Sequence, residues 1–316
     1  MNILVTSIGS FSADCVINSL KKLHHIVVGC DINPKEWIVA AKDCDSFYQV
    51  PLCKNCEHNY ISAIIEICRI EEINFLIPLT DVEVDVLNKH RALFDEIDCK
   101  LCIQSDACLR VARNKWNMFK YFRDEKVFKV PNTILCNEDF ETSVKELKLP
   151  CVLKPISGRS SEGLFYIGNL SDFNFSKTYE NYIVQEYIKG SIFTVDYLRD
   201  SFSNDFSIVR EELLRTKNGA GTTVRVAMNH KLGMAASFIG DKLGIIGAVN
   251  FEFIFDGEEY YLIDINPRFS AGIAFSQFVG YDIVKSCLNS VMGNEIIKPI
   301  CYDEKIICKR YREELI

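Results

Sequence analysis

The sequence predicts an α/β chain that opens with a doubly wound parallel-sheet domain and passes into α+β packing further on. Three observations carry this reading. Apolar runs alternate with amphipathic stretches through the first hundred residues, the pattern of a parallel sheet covered by helices. From about Asp106 that alternation gives way to helical stretches. Beyond Gly190 the apolar runs lengthen and succeed one another as antiparallel strands do.

In order, strands are expected at 3–6, 26–31, 75–79 and 101–104, with helices over 60–70 and 82–94. Helices come next at 106–112 and 115–125, then a small α/β unit with strands at 133–136, 151–154, 164–167 and 182–187. Long strands are expected at 192–198, 206–214, 249–255 and 260–265, before a helix-rich tail. A length of 316 residues suits two or three packed subdomains, divided here as 1–106, 107–190 and 191–316.

Composition narrows the function. A net charge of -7 argues against nucleic-acid binding, and no apolar run approaches the roughly 18 to 20 residues of a membrane span. Met1 leads straight into a strand with no visible secretion signal, so a cytoplasmic protein is expected. Among the 14 cysteines, Cys53/Cys56, near His58, and Cys99/Cys102 have Cys-x-x-Cys spacing. The second pair reads as a strand, where positions three apart point to opposite faces, so reduced thiols rather than structural zinc are expected. The turn after the first strand, Ser7 to Phe11, and Asp31 after the second suggest a dinucleotide fingerprint. Phe11 and Asp14 stand where that fingerprint needs its second and third glycines, and a bulky side chain there excludes the cofactor.

The most informative segment runs from Gly247 to Ser270. Two apolar strands flank a turn at Asp256 and Gly257, so Glu252 and Asp264 can meet across a hairpin. Asp264, Asn266 and Arg268 alternate with Ile265 and Pro267, which puts three polar groups on one face of an apolar strand. Two acids and an amide there form an oxygen-ligand site of the kind magnesium prefers, and Arg268 adds a cation where phosphate charge would develop. Upstream, Lys154 ends a strand before the small-residue loop Ser157, Gly158, Ser160, Ser161 and Gly163, whose backbone amides can approach an anion closely.

Taken together these segments resemble the ATP-grasp superfamily, most closely the single-chain proteins related to the carbamoyl-phosphate synthase large subunit. Glu252, then Asp264, Asn266 and Arg268 about twelve residues later, match the family's acid followed by acid-x-Asn-x-Arg. The resemblance implies an amino-terminal pre-ATP-grasp domain followed by an ATP-grasp fold with a mobile lid. It implies Glu252, Asp264 and Asn266 as magnesium ligands, with manganese as an alternative, and Arg268 facing the transferring phosphoryl group. By the same resemblance Lys115 and Lys154 would contact the ATP phosphates, and the loop 157–163 would fold over them. Gln185, Glu186, Tyr187 and Ile188 resemble the hinge that reads adenine. Arg215 and Lys217 lie where relatives place a basic residue near the γ-phosphate or substrate. Ile192 stands where the family often has a ribose-binding Glu.

The implied activity is ATP-dependent joining of a small-molecule carboxylate, such as an amino acid, to an amine through an acyl-phosphate, giving ADP and phosphate. A homodimer is compatible with the resemblance. A non-catalytic ATP-binding protein, or a carboxylase or kinase variant, would share most of these residues.

Overall fold

The computed structural model describes residues 1–54, 56–136, 147, 149–158, 163–169, 171, 179–217, 219–299 and 304–309. The amino-terminal sheet contains β1 (Asn2–Thr6), β2 (Ile26–Asp31), β3 (Ser46–Gln49), β4 (Phe75–Ile77) and β5 (Lys100–Leu101). Their order is β3-β2-β1-β4-β5, and every pairing is parallel. Helices α1 (Ala13–Lys22), α2 (Glu57–Ile70), α3 (Asp81–Lys89) and α4 (Arg91–Asp95) connect them. The order reverses between β1 and β4, so the loops leaving these two strands open a crevice at their carboxyl ends. That crevice is where the rest of the chain docks.

Local details refine the expected elements. The helix expected over 82–94 is two helices, broken at His90, whose φ of -113° is not helical. Strand 101–104 shortens to the two residues of β5, and β3 was not anticipated. Cys99 packs beside Cys68 in the cluster under α2, whereas Cys102 packs on the opposite cluster, as strand alternation requires. Cys53 is buried and Cys56 exposed.

Two short helices lead out of this domain. Ser105 caps α5 (Asp106–Ala112) by accepting from the Cys108 amide, and Asn114 caps α6 (Lys115–Phe122) by accepting from Asn117. The second cap fixes Lys115 as the first residue of α6. A small antiparallel sheet comes next, ordered β6 (Thr133–Leu135), β9 (Tyr182–Glu186), β7 (Cys151–Pro155) and β8 (Phe165–Ile167). Its fully buried core is slight: Cys151, Leu153, Ile167 and Val184.

The last unit is a six-stranded antiparallel sheet, ordered β14 (Tyr260–Asn266), β13 (Gly247–Phe255), β10 (Ser191–Arg199), β11 (Asp205–Arg215), β12 (Gly221–Val226) and β15 (Lys305–Cys308). The helix His230–Leu243 packs on it and ends at Gly244 in the left-handed region. The expected helix-rich tail is only partly so: helices Ile273–Phe278 and Ile283–Val291 are followed by strand β15. One apolar cluster joins the first and last units, running from Ile3, Val5 and Ile77 through Leu198, Val224 and Phe269 to Val284. Among the described residues no helix is long and apolar enough to cross a membrane.

Candidate active site

The hairpin of β13 and β14 forms as its sequence dictates. Gly257, at φ +111°, makes the turn, and the register pairs Asn250 with Asn266 and Glu252 with Asp264. A bulge beside Glu252 interrupts the ladder next to this pair. Each carboxylate already has a cation. Lys115 Nζ lies 3.2 Å from Asp264 Oδ1, and Arg215 Nη2 lies 2.6 Å from Glu252 Oε1. Burial pushes the Glu252 carboxyl up, with Asp264 and Glu212 adding to the effect and Arg215 opposing it.

Lys154 reaches this cluster from β7. Burial, with the neighbouring Lys115 adding to it and Asp264 and Glu252 opposing, lowers its ammonium to about 8. The Lys115 amide donates to the Ile156 carbonyl at 2.9 Å, and Ser157 Oγ donates to the Arg113 carbonyl at 2.8 Å. These bonds hold the start of α6 against the end of β7, so both lysines come from one fastened corner.

Arg268 leaves the end of β14 and crosses to the amino-terminal domain. Its Nε and Nη2 bond the two oxygens of Asp81 at 3.0 and 2.7 Å. Arg113 approaches the same carboxylate at 3.6 Å and bonds Asp85 with two nitrogens. Burial would raise Asp81, yet the two guanidinium groups hold it below the usual carboxylate range.

Two cavities meet at Arg268. One, of about 260 Å³, is walled by Glu252, Asp264, Asn266, Arg215, Glu212 and Thr194 among others. The second, of about 220 Å³, lies at the sheet's switch point between Gly9–Ser12 and Leu79–Asp81. Phe11 lines both, and the Gly9 amide donates to Asp31 at 2.9 Å. The first cavity is polar and backed by a buried ion pair, Arg210 with Asp196, to which Ser276 also bonds.

The other expected site residues divide between this cluster and positions outside it. Lys217 is exposed on the turn after β11, so of the two basic residues only Arg215 faces the acids. Gln185 is 2% exposed and its amide donates to Thr133 Oγ1 at 2.8 Å, inside the small sheet. Glu186 accepts from Asn132 Nδ2 at 3.1 Å, and Tyr187 stands edge-on to Tyr166 with 41% of its surface exposed. Ile188 is half-buried. Gly158 follows Ser157, and Gly163 sits at φ +73°, where a Cβ would stand 3.0 Å from Tyr182 Oη. Ser160 and Ser161 lie outside the described residues.

The geometry adds residues that sequence reasoning missed: Asp81, Arg113, Thr194 and Glu212. Asp81 carried a usable signal, since it follows an expected strand at the ligand-binding edge of a doubly wound sheet. Thr194 and Glu212 carried none beyond strand alternation.

Comparison with known proteins decides the family. A model described as "ATP-grasp domain" matches residues 112–272, half of the chain. The chain belongs to the ATP-grasp family. A second model, "PylC-like, N-terminal domain", matches residues 3–102 in front of the ATP-grasp part. The carbamoyl phosphate synthase large chain of Clostridium acetobutylicum is 24% identical over 175 residues, covering 50% of this chain and 16% of that one. The D-alanine–D-alanine ligase of Fervidobacterium nodosum is 31% identical over 116 residues, 33% of each. The chain thus spans a third or less of the length of these relatives. The fold is similar to the biotin carboxylase domain of the Hydrogenobacter thermophilus 2-oxoglutarate carboxylase, described as a dimer in complex with MgADP, ADP and bicarbonate. That likeness has a TM-score of 0.77 and 18% identity over 93% of this chain and 70% of the other. Both ends of the ATP-grasp match coincide with site features: α5 closes with Ala112, and Gly272 lines the charged cavity.

Proposed function

We propose that the chain is an ADP-forming ligase that joins a small-molecule carboxylate to an amine. One observation carries it: two carboxylates paired across a hairpin, Glu252 and Asp264, each matched by a long-chain cation, with the buried Lys154 beside them. Such a cluster lacks polyanion and divalent charge in equal measure, and Mg-ATP brings both. The donor set of Glu252, Asp264 and Asn266 is hard oxygen, which fits magnesium and also manganese. A metal held there would supply charge neutralisation at the β- and γ-phosphates.

The chain's own residues do the rest. Lys115 and Lys154 take phosphate oxygens, and Arg268, locked by Asp81, marks where the acyl carboxylate sits between the two cavities. A carboxylate oxygen attacks the γ-phosphorus and ADP leaves. The amine, having released one proton from its ammonium form, attacks the acyl carbon, and phosphate leaves with a second proton. The expected lid over 157–163, of which residues 159–162 lie outside the described residues, would keep water from the acyl-phosphate. The expected setting is the cytoplasm, with a homodimer as the assembly to test. The ligase relatives support this reading through what their names state.

The decisive assay screens amino acids and amines for ATP-dependent release of phosphate. ADP with phosphate, released only when both partners are present, is the expected result. AMP with pyrophosphate would replace the mechanism with adenylation, and phosphate release needing bicarbonate rather than an amine would make the chain a carboxylase.

A further inference from the structure

The charged cavity holds a third carboxylate that the ligase scheme does not use. Glu212 projects from β11 with its side chain 4% exposed. Its Oε1 accepts from Thr194 Oγ1 at 2.7 Å, while its Oε2 accepts no hydrogen bond from the described residues. A side chain at Gly221 would collide with that oxygen, since a Cβ there would stand 1.8 Å from it. Gly221 and Glu212 both line the cavity, so the missing side chain leaves Oε2 its space.

Among the described residues, no cation around this cavity gives Oε2 a hydrogen bond. Lys115 pairs with Asp264 and Arg268 with Asp81, while Arg210 bonds Asp196 and reaches Glu212 only through its charge. Arg215 serves Glu252, gives its Nε to the Gly219 carbonyl at 2.9 Å and comes no nearer than 4.0 Å to Glu212. A carboxylate oxygen left without a donor inside a protein is destabilising, the more so when charged. What matches an unpaired, fixed anion beside an acyl-transfer site is an N–H donor that arrives with positive charge.

We propose that Glu212 receives the ammonium of the amine co-substrate through Oε2, and so selects for amines that arrive as cations. Thr194 fixes the other oxygen and so holds the carboxylate in one orientation in the cavity wall, with Oε2 against Gly221. Thr194 is also paired in register with Glu252, so the bound ammonium is delivered beside the metal and phosphate cluster. This inference rests on the ligase reading.

The test separates the two. Hydroxylamine, an uncharged nucleophile at neutral pH, is used with Mg-ATP and the common amino acids as carboxylates, and hydroxamate is measured. With the carboxylate so identified, the most effective amino acid or diamine serves as the cationic nucleophile. Glu212→Gln should raise KM for that amine about 10-fold or more, the loss of one charge-assisted bond, and should affect hydroxylamine by a clearly smaller factor. Glu212→Asp should fall between. Gly221→Ala, which pushes a methyl against Oε2 and leaves the carboxylate in the chain, should reproduce the KM effect if Glu212→Gln misfolds. Equal losses with both nucleophiles, or no loss with either, would overturn the role of Glu212. Absence of hydroxamate from the unaltered protein with every carboxylate would instead reject the ligase reading.

Discussion

Asp81 holds Arg268 with both carboxylate oxygens, at 2.7 and 3.0 Å, across 187 residues of sequence. The Asp81 carboxylate is 2% exposed and the guanidinium 19%, so water screens the pair weakly. One residue opens α3 in the amino-terminal domain; the other follows the strand that carries Asp264. The bond therefore sets the angle at which Arg268 faces both cavities.

Asp81→Asn should lower kcat/KM and cost about 1–3 kcal/mol of stability at pH 7, because two guanidinium groups lose their anion. The direction of the shift sets the pH dependence. Asp81 titrates below its ordinary value when folded, so its contribution is complete above about pH 4 and fades as pH falls through the folded value. Urea unfolding at pH 7 and at pH 3 checks this: the gap between the two proteins should narrow at the lower pH. A gap of constant size would mean that the pair contributes nothing through its charge.

Lys154→Met should make the ligand-free protein more stable while weakening Mg-ATP binding at least about 10-fold. The lysine is buried beside Lys115, and its ammonium is lowered to about 8. A lowered value means that the folded state gives up its proton first, so the unaltered protein should gain stability as pH rises from about 8 towards the ordinary lysine range. The methionine form should lack that rise. Melting curves at pH 7 and 9.5, with and without a non-hydrolysable ATP analogue, measure all three effects, and a less stable Met form at pH 7 would contradict the argument.

Asp264→Asn keeps the size of the side chain and removes its charge. It should cut turnover at least about 100-fold, in keeping with loss of a metal ligand, and leave Lys115 without its anion. Steady-state ADP formation across a magnesium titration is the measurement. Near-normal turnover in a folded variant would move the metal away from this hairpin.

Ile192→Glu should tighten ATP binding several-fold. Ile192 is half-buried on β10, two residues before Thr194 and so on the same strand face as the charged cavity. A carboxylate there can accept from ribose hydroxyls, each such bond worth about 1.5 to 3 kcal/mol before desolvation and ordering costs. Calorimetry with the same analogue decides it, and unchanged or weaker binding would show that another group already holds the ribose.

Much of this site was legible in the sequence because it is local. Glu252 and Asp264 sit on adjacent strands joined by one short turn, and alternation alone predicts that they meet. Strands β1, β2 and β4 were legible because they are buried on both faces and read as unbroken apolar runs, whereas β3 and β5 are only partly buried. Strands β12 and β15 escaped because Gly221, Thr222 and Thr223 look like a loop and the last strand is short. The inward turn of Gln185 was not legible, because an amide in a strand can face either way and here Thr133 waits on the inner side. Nothing in sequence spacing could reveal Asp81 beside Arg268, since the docking of one domain on another creates that contact.

The apolar cluster that runs from Ile3 to Val284 ties the stability of the parallel sheet to that of the six-stranded sheet. Position 106 separates the parallel sheet from the antiparallel ones, yet a cut there would wet Leu198, Val224 and Phe269 on one side and Val5, Ile17 and Ile77 on the other. Neither fragment would be expected to survive alone. Substitutions far from the phosphates, at Ala13 or Leu20 for instance, therefore bear on catalysis by loosening the seat on which Arg268 rests.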